Sequence, residues 1–174
     1  MNTILGASFT SRLNSNLREQ HGYSYGAGSR FNFMPITGAF MAFSDVHAEV
    51  TDKALNEFMK ELRAITTVTD EELRRAKNYV ALSYPSEFQS VGAIAAALAE
   101  VVIYNLPDDY YEKYLQNINA VSLEDVRRVA SRYLNTERMA VVVVGDKKTV
   151  REGLARLNFG EVVLADTEGN RITQ

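Results

Sequence analysis

The sequence predicts an α+β fold, with an antiparallel or mixed sheet and helices packed on one of its faces. Three observations support this. Apolar residues recur at helical spacing in several segments, two early segments alternate with period two, and a β-branched run near the C-terminus reads as a central strand. With 174 residues, 46% of them hydrophobic, the chain can bury a core without metal or disulfide staples. No repeat, linker or low-complexity tract divides it, so one domain over residues 1–174 is expected.

Phe9, Leu13 and Leu17 form one stripe of a helix over 6–20, which Gly22 closes by adopting the left-handed conformation. The pattern then changes to alternation. Tyr23, Tyr25, Ala27, Phe31 and Phe33 share one strand face, with Ser24, Arg30 and Asn32 on the other. A turn at 35–38 leads to a second strand over 39–46, where Phe40, Met41 and Phe43 predict that both faces are at least partly covered. From Thr51 the helical period returns in Leu55, Phe58, Met59, Leu62 and Ile65.

Thr69 and Glu72 fit a capping box that starts a long helix, which Pro85 should kink or break. The longest apolar stretch, 92–106, is too short to cross a bilayer and contains Glu100, so it reads as a buried helix. Pro107 opens a helix carrying Tyr110, Tyr111, Tyr114 and Leu115, and Ser122 starts another. The run 139–144 suits a strand covered on both faces, followed by a helix over 149–157 and a last strand over 162–165.

Composition removes several functions. Nineteen Lys and Arg against twenty-two Asp and Glu give a net charge of -3, without the basic excess of a phosphate-backbone binder, so no nucleic-acid partner is expected. The absence of cysteine excludes thiol nucleophiles, disulfides and Cys-containing zinc sites. The opening MNTILGASFTSRL lacks the basic and apolar regions of a secretory signal.

Two histidines, His21 and His47, lie in neither H-E-x-x-H nor H-x-x-E-H. The one local alternative is an independent metal hydrolase in which strand alternation puts Asp45, His47 and Glu49 on one face. A polar, solvated strand end explains the same residues. There is no G-x-S-x-G elbow, and Gly22, Gly26 and Gly28 have the wrong spacing for dinucleotide binding. Arg74, Arg75 and Lys77 read as a solvated helix face, and the tyrosine cluster as core or interface.

One constellation remains. Arg18 stands in the last turn of the first helix and Tyr25 at the start of the next strand, so the glycine turn can bring them together. A guanidinium offers paired donors to peptide carbonyls, and a phenol offers a donor that can steady an oxyanion. A cation that merely complements the helix dipole fits Arg18 equally well.

At these residues the sequence resembles the C-terminal, metal-free domain of the pitrilysin/insulinase family of zinc peptidases, which includes the mitochondrial processing peptidases. The resemblance lies in Leu5 to Leu13, in Leu17-Arg18-Glu19, in Gly22-Tyr23-Ser24-Tyr25, in Thr69 to Leu73 with Ala76-Lys77, and in Val141 to Asp146. In that family two related halves close around a peptide, one carrying zinc on H-x-x-E-H and the other gripping substrate with an Arg and Tyr pair. Arg18 and Tyr25 match that pair in type and in their spacing of seven residues.

The resemblance therefore implies a substrate-binding half of a zinc metalloendopeptidase, inactive alone and without metal of its own. Zinc and the water-activating glutamate would come from a homologous partner domain or subunit. A structural, assembly role is the related alternative, as in respiratory-complex core subunits that resemble the same family. Family domains normally begin with further elements, so the resemblance also implies a chain truncated at its N-terminus. An exposed sheet edge and a homodimer are expected with it.

Overall fold

In the computed structural model, residues 1–172 are described. Helix α1 (Asn2–Leu5) is followed by a loop, and α2 (Arg12–Asn14) runs directly into a π-helical segment, Ser15–Gln20. The helix expected over 6–20 therefore begins later than its apolar stripe suggests. The cause is a close approach at Gly6. Its carbonyl accepts the Ser29 N–H at 3.1 Å, and a Cβ there would stand 2.4 Å from the Ser29 N and Oγ. The resulting loop separates Phe9 from its predicted companions. Leu13 and Leu17 are fully buried, whereas Phe9 is 67% exposed.

Strands β1 (Ser24–Phe33) and β2 (Gly38–Val46) form an antiparallel pair in which Phe31 faces Phe40 and Ala27 faces Ser44. The register shifts between Ser24 and Ala27, where β1 carries an extra residue. Such a bulge rotates the strand locally. Its effect explains a departure from simple alternation: Tyr23 and Ala27 pack against the core, while Tyr25 between them is 91% exposed.

Helix α3 (Thr51–Ala64) contributes Ala54, Met59 and Leu62 to the core, with Ile65 just beyond its end. These pack with Leu5, Leu13 and Leu17, and with Ala27, Phe31, Phe40 and Ala42 from the sheet. Each buried leucine side chain contributes about 1.5–3 kcal/mol of transfer free energy. Helices thus cover one face of the sheet. On the other, Met41 and Phe43 are half-exposed, and Arg30 lies over the Phe43 ring, so that face of β2 is partly covered, as expected.

Helix α4 (Asp70–Ser83) starts at the expected capping box: Thr69 Oγ1 accepts the Glu72 N–H, and the Glu72 carboxylate accepts the Thr69 N–H. Pro85 ends it in a short 3-10 turn, beyond which α5 (Val91–Ile103) departs at 110°. Helices α6 (Tyr110–Ala120), α7 (Leu123–Tyr133) and α8 (Lys147–Arg156) follow, α7 with its own capping box between Ser122 and Asp125. Tyr84 stacks on Tyr114 at 4.9 Å and donates to the Tyr111 carbonyl, so the tyrosine cluster joins α6 to the end of α4. Among the described residues no single helix is long and apolar enough to cross a membrane.

Two apolar runs differ from expectation. Helix α5 is helical as predicted but not buried: Val91, Leu98 and Val102 are all exposed. The run 139–144 has no regular secondary structure and joins no ladder, with Val142 and Val144 exposed, and at 162–165 only Ala165 forms a bridge, to Arg171. A strand is stabilised through its neighbours; among the described residues the first segment joins no ladder and the second pairs only through this isolated bridge. The sheet of the described residues is accordingly two-stranded and antiparallel rather than mixed.

Candidate functional site

The site helix ends on Gly22, whose φ of +63° is the left-handed conformation that glycine adopts without a Cβ penalty. The Gly22 N–H donates to the Arg18 carbonyl at 3.1 Å and the Tyr23 N–H to the Leu17 carbonyl at 2.8 Å. This closure turns the chain straight into β1. Arg18, in the last turn, and Tyr25, just past the turn, consequently meet: the Arg18 Cζ lies 5.4 Å from the centre of the Tyr25 ring.

A second ring lies on the same guanidinium. The Phe9 ring centre is 4.5 Å from the Arg18 Cζ. Phe9 escaped the sequence reading because its spacing placed it on the buried stripe. No local signal announces its exposure, because that depends on Gly6, ahead of the stripe, docking against Ser29. Buried Asn14 fixes both sides of this cluster, since its Nδ2 donates to the Phe9 carbonyl at 2.6 Å and its Oδ1 accepts the Ala27 N–H at 3.2 Å. One amide therefore ties the Phe9 loop to the strand just beyond Tyr25. Arg18 also forms a 3.3 Å ion pair through Nε with exposed Glu19. Faces stacked on rings leave the edge N–H groups of a guanidinium directed sideways, where they can meet carbonyl oxygens.

The base of the site helix is held by charge. Arg12 makes a two-pronged pair with Glu72 (Nε to Oε1 2.6 Å, Nη2 to Oε2 2.8 Å), and its Nη1 donates to the Ala64 carbonyl at 2.7 Å. The Arg12 hydrogen bonds, helped by Thr69, hold the Glu72 carboxyl down to about 2. Further along, Asn16 Nδ2 donates to Glu57 at 2.9 Å and Glu61 at 2.7 Å. Burial pushes the Glu57 carboxyl up, but the hydrogen bonds from Asn16 and Lys60 outweigh it and leave it below its ordinary value. A cavity of about 400 Å³ lies beside Arg12, Glu61, Glu72 and Tyr79, and does not include Arg18 or Tyr25. Its charged pair is already satisfied within the fold.

The metal alternative fails on geometry. Strand β2 ends at Val46, so alternation does not carry on to His47, and Glu49 lies in a 3-10 turn at Ala48–Val50. Among the described residues no three His, Asp or Glu side chains converge to hold a metal ion. Zinc therefore finds no ligand set among the described residues, and Asp45, His47 and Glu49 are a polar strand end and the turn after it.

Residues 1–80 match the family model of the peptidase M16 inactive domain, a segment that contains Arg18, Tyr25 and both strands. Among solved structures, the peptidase M16 inactive domain from Pseudomonas fluorescens is similar at 31% identity with a TM-score of 0.70, over 77% of this chain and 32% of that one. A protease from Helicobacter pylori is similar in fold at 22% identity and a TM-score of 0.66, over 77% and 33%. The inactive peptidase domain of a candidate zinc protease from Bordetella parapertussis is similar in fold at 21% identity and a TM-score of 0.64, over 77% and 74%. The chain spans about a third of the length of the first of these structures. No curated protein sequence matches it.

Proposed function

We propose that the chain is the non-catalytic, substrate-gripping half of a zinc metalloendopeptidase, a reading supported by the match of residues 1–80 to the family model of the peptidase M16 inactive domain. The observation that carries this reading is the pairing of half-buried Arg18 with exposed Tyr25, built by the Gly22 turn. Arg18 donates through its guanidinium edge to backbone carbonyls of an extended peptide. Tyr25, whose ring is 91% exposed, donates its phenolic O–H toward the carbonyl that becomes an oxyanion. In this reading zinc and the water-activating carboxylate belong to a partner half that carries H-x-x-E-H, in keeping with the lack of a metal-ligand set among the described residues.

The test is to mix the chain with its H-x-x-E-H partner and follow cleavage of a fluorogenic peptide. Cleavage is expected only in the mixture. Loss of the Tyr25 donor should lower kcat/KM by about 100- to 1000-fold, the range for a transition-state hydrogen bond. A partner that cleaves equally fast alone would point instead to an assembly role for this chain.

A further inference from the structure

We propose that Phe9 is a specificity-determining wall of the peptide site, selecting an aromatic or branched aliphatic side chain next to the residue whose carbonyl Arg18 holds. This deepens the Arg18 and Tyr25 reading and rests on it. Phe9 is 67% exposed although its spacing suits a buried helix stripe. Its backbone is nevertheless fixed from the inner side. Asn14 donates to its carbonyl at 2.6 Å, Gly6 anchors the loop to Ser29 at 3.1 Å, and Ser11 at the loop's end is buried. An apolar ring that stays in water on a rigid loop is a preorganised contact surface rather than a loose end.

Position gives that surface a task. The ring centre lies 4.5 Å from the Arg18 Cζ, and Tyr25 lies 5.4 Å from the same atom. An extended peptide advances about 3.4 Å per residue and sends successive side chains to opposite faces. With one carbonyl on the guanidinium edge, a neighbouring side chain falls within reach of the Phe9 ring. A ring rewards apolar partners over small or acidic ones. A cation–π contact to Arg18 alone would explain the stacking but predicts no preference among peptides.

The test titrates the full chain with blocked heptapeptides that carry Phe, Leu, Ala or Asp at the central position of an otherwise polyalanine sequence. The readout is the ratio of affinities for the Phe and Ala peptides. Wild type is expected to favour Phe by about fivefold, the order of an aromatic pair contact. Phe9→Tyr should keep that ratio and Phe9→Ala should bring it near one, whereas Arg18→Gln should weaken all four peptides. A wild-type ratio near one, or a ratio unchanged in Phe9→Ala, overturns the role of Phe9 while leaving the peptide grip intact. No saturable binding of any peptide to wild type overturns the grip as well.

Discussion

Replacing Arg12 with methionine keeps the length of the side chain and removes the charge that anchors the site helix. The variant loses two hydrogen bonds to Glu72, at 2.6 and 2.8 Å, and one to the Ala64 carbonyl at 2.7 Å. Both partners are largely buried, with side-chain exposures of 16% and 15%, so Glu72 is left without its main counter-charge. Hydrogen bonds to charged groups contribute about 1.5–3 kcal/mol each, and Thr69 still serves Glu72, so the expected loss is about 2–4 kcal/mol. In a chain of this size that lowers Tm by roughly 5–15 °C.

The pH dependence gives an independent check on the same pair. The folded-state carboxyl of Glu72 is held at about 2, below its ordinary value of 4.5. Its contribution is therefore fully present above pH 4.5 and is lost as pH falls toward 2. Asp125, held to about 2 chiefly by the Ser122 amide, titrates in the same range. Comparison with Glu72→Gln isolates the pair, because glutamine can still close the capping box. Urea denaturation of wild type, Arg12→Met and Glu72→Gln between pH 7 and 2 is the assay. The stability gap between wild type and Glu72→Gln should shrink toward zero at the acid end. A gap that stays constant, or an Arg12→Met cost below about 0.5 kcal/mol as for a surface pair, refutes the reasoning.

Three further outcomes are expected. Gly22→Ala should cost about 1–2 kcal/mol through the left-handed backbone alone, since a Cβ there meets nothing within 4 Å; a change of Tm under one degree would contradict this. Gly6→Ala should cost more, because its Cβ would collide with Ser29 at 2.4 Å, and hydrogen exchange at the Ser29 amide should accelerate with it. Leu17→Ala removes a fully buried side chain beneath Arg18 and should cost about 2–5 kcal/mol by chemical denaturation.

Local chemistry was the legible part of this fold. The capping box at Thr69, the helix start at Ser122, the helix stop at Gly22, the break at Pro85 and the β1 to β2 turn all depend on neighbours in sequence, and all occur as read. Burial was legible only where a partner surface exists. The periodicity of α3 meets the sheet and Leu13, whereas the apolar face of α5 and the valines at 141–144 remain exposed. Composition states what a segment would bury, not whether another element covers it.

The site divides in the same way. Arg18 and Tyr25 could be paired because the turn between them is local and because the family resemblance named both. Phe9 could not, since its place depends on Gly6 docking against Ser29, far along the chain. The outward aim of Tyr25 depends on a bulge that alternation does not announce. Asn14 read as one of the polar residues between the apolar ones, yet it is buried and holds Phe9 and the strand in one arrangement.

The most direct test of the account is the double variant Arg18→Gln, Tyr25→Phe, assayed with the zinc-bearing partner half on a peptide substrate. Its circular dichroism and Tm should match wild type within a few degrees, because both side chains act at the surface. Its kcat/KM should fall by at least about 100-fold. Normal turnover by a folded double variant would contradict the claim that this chain grips substrate through Arg18 and Tyr25.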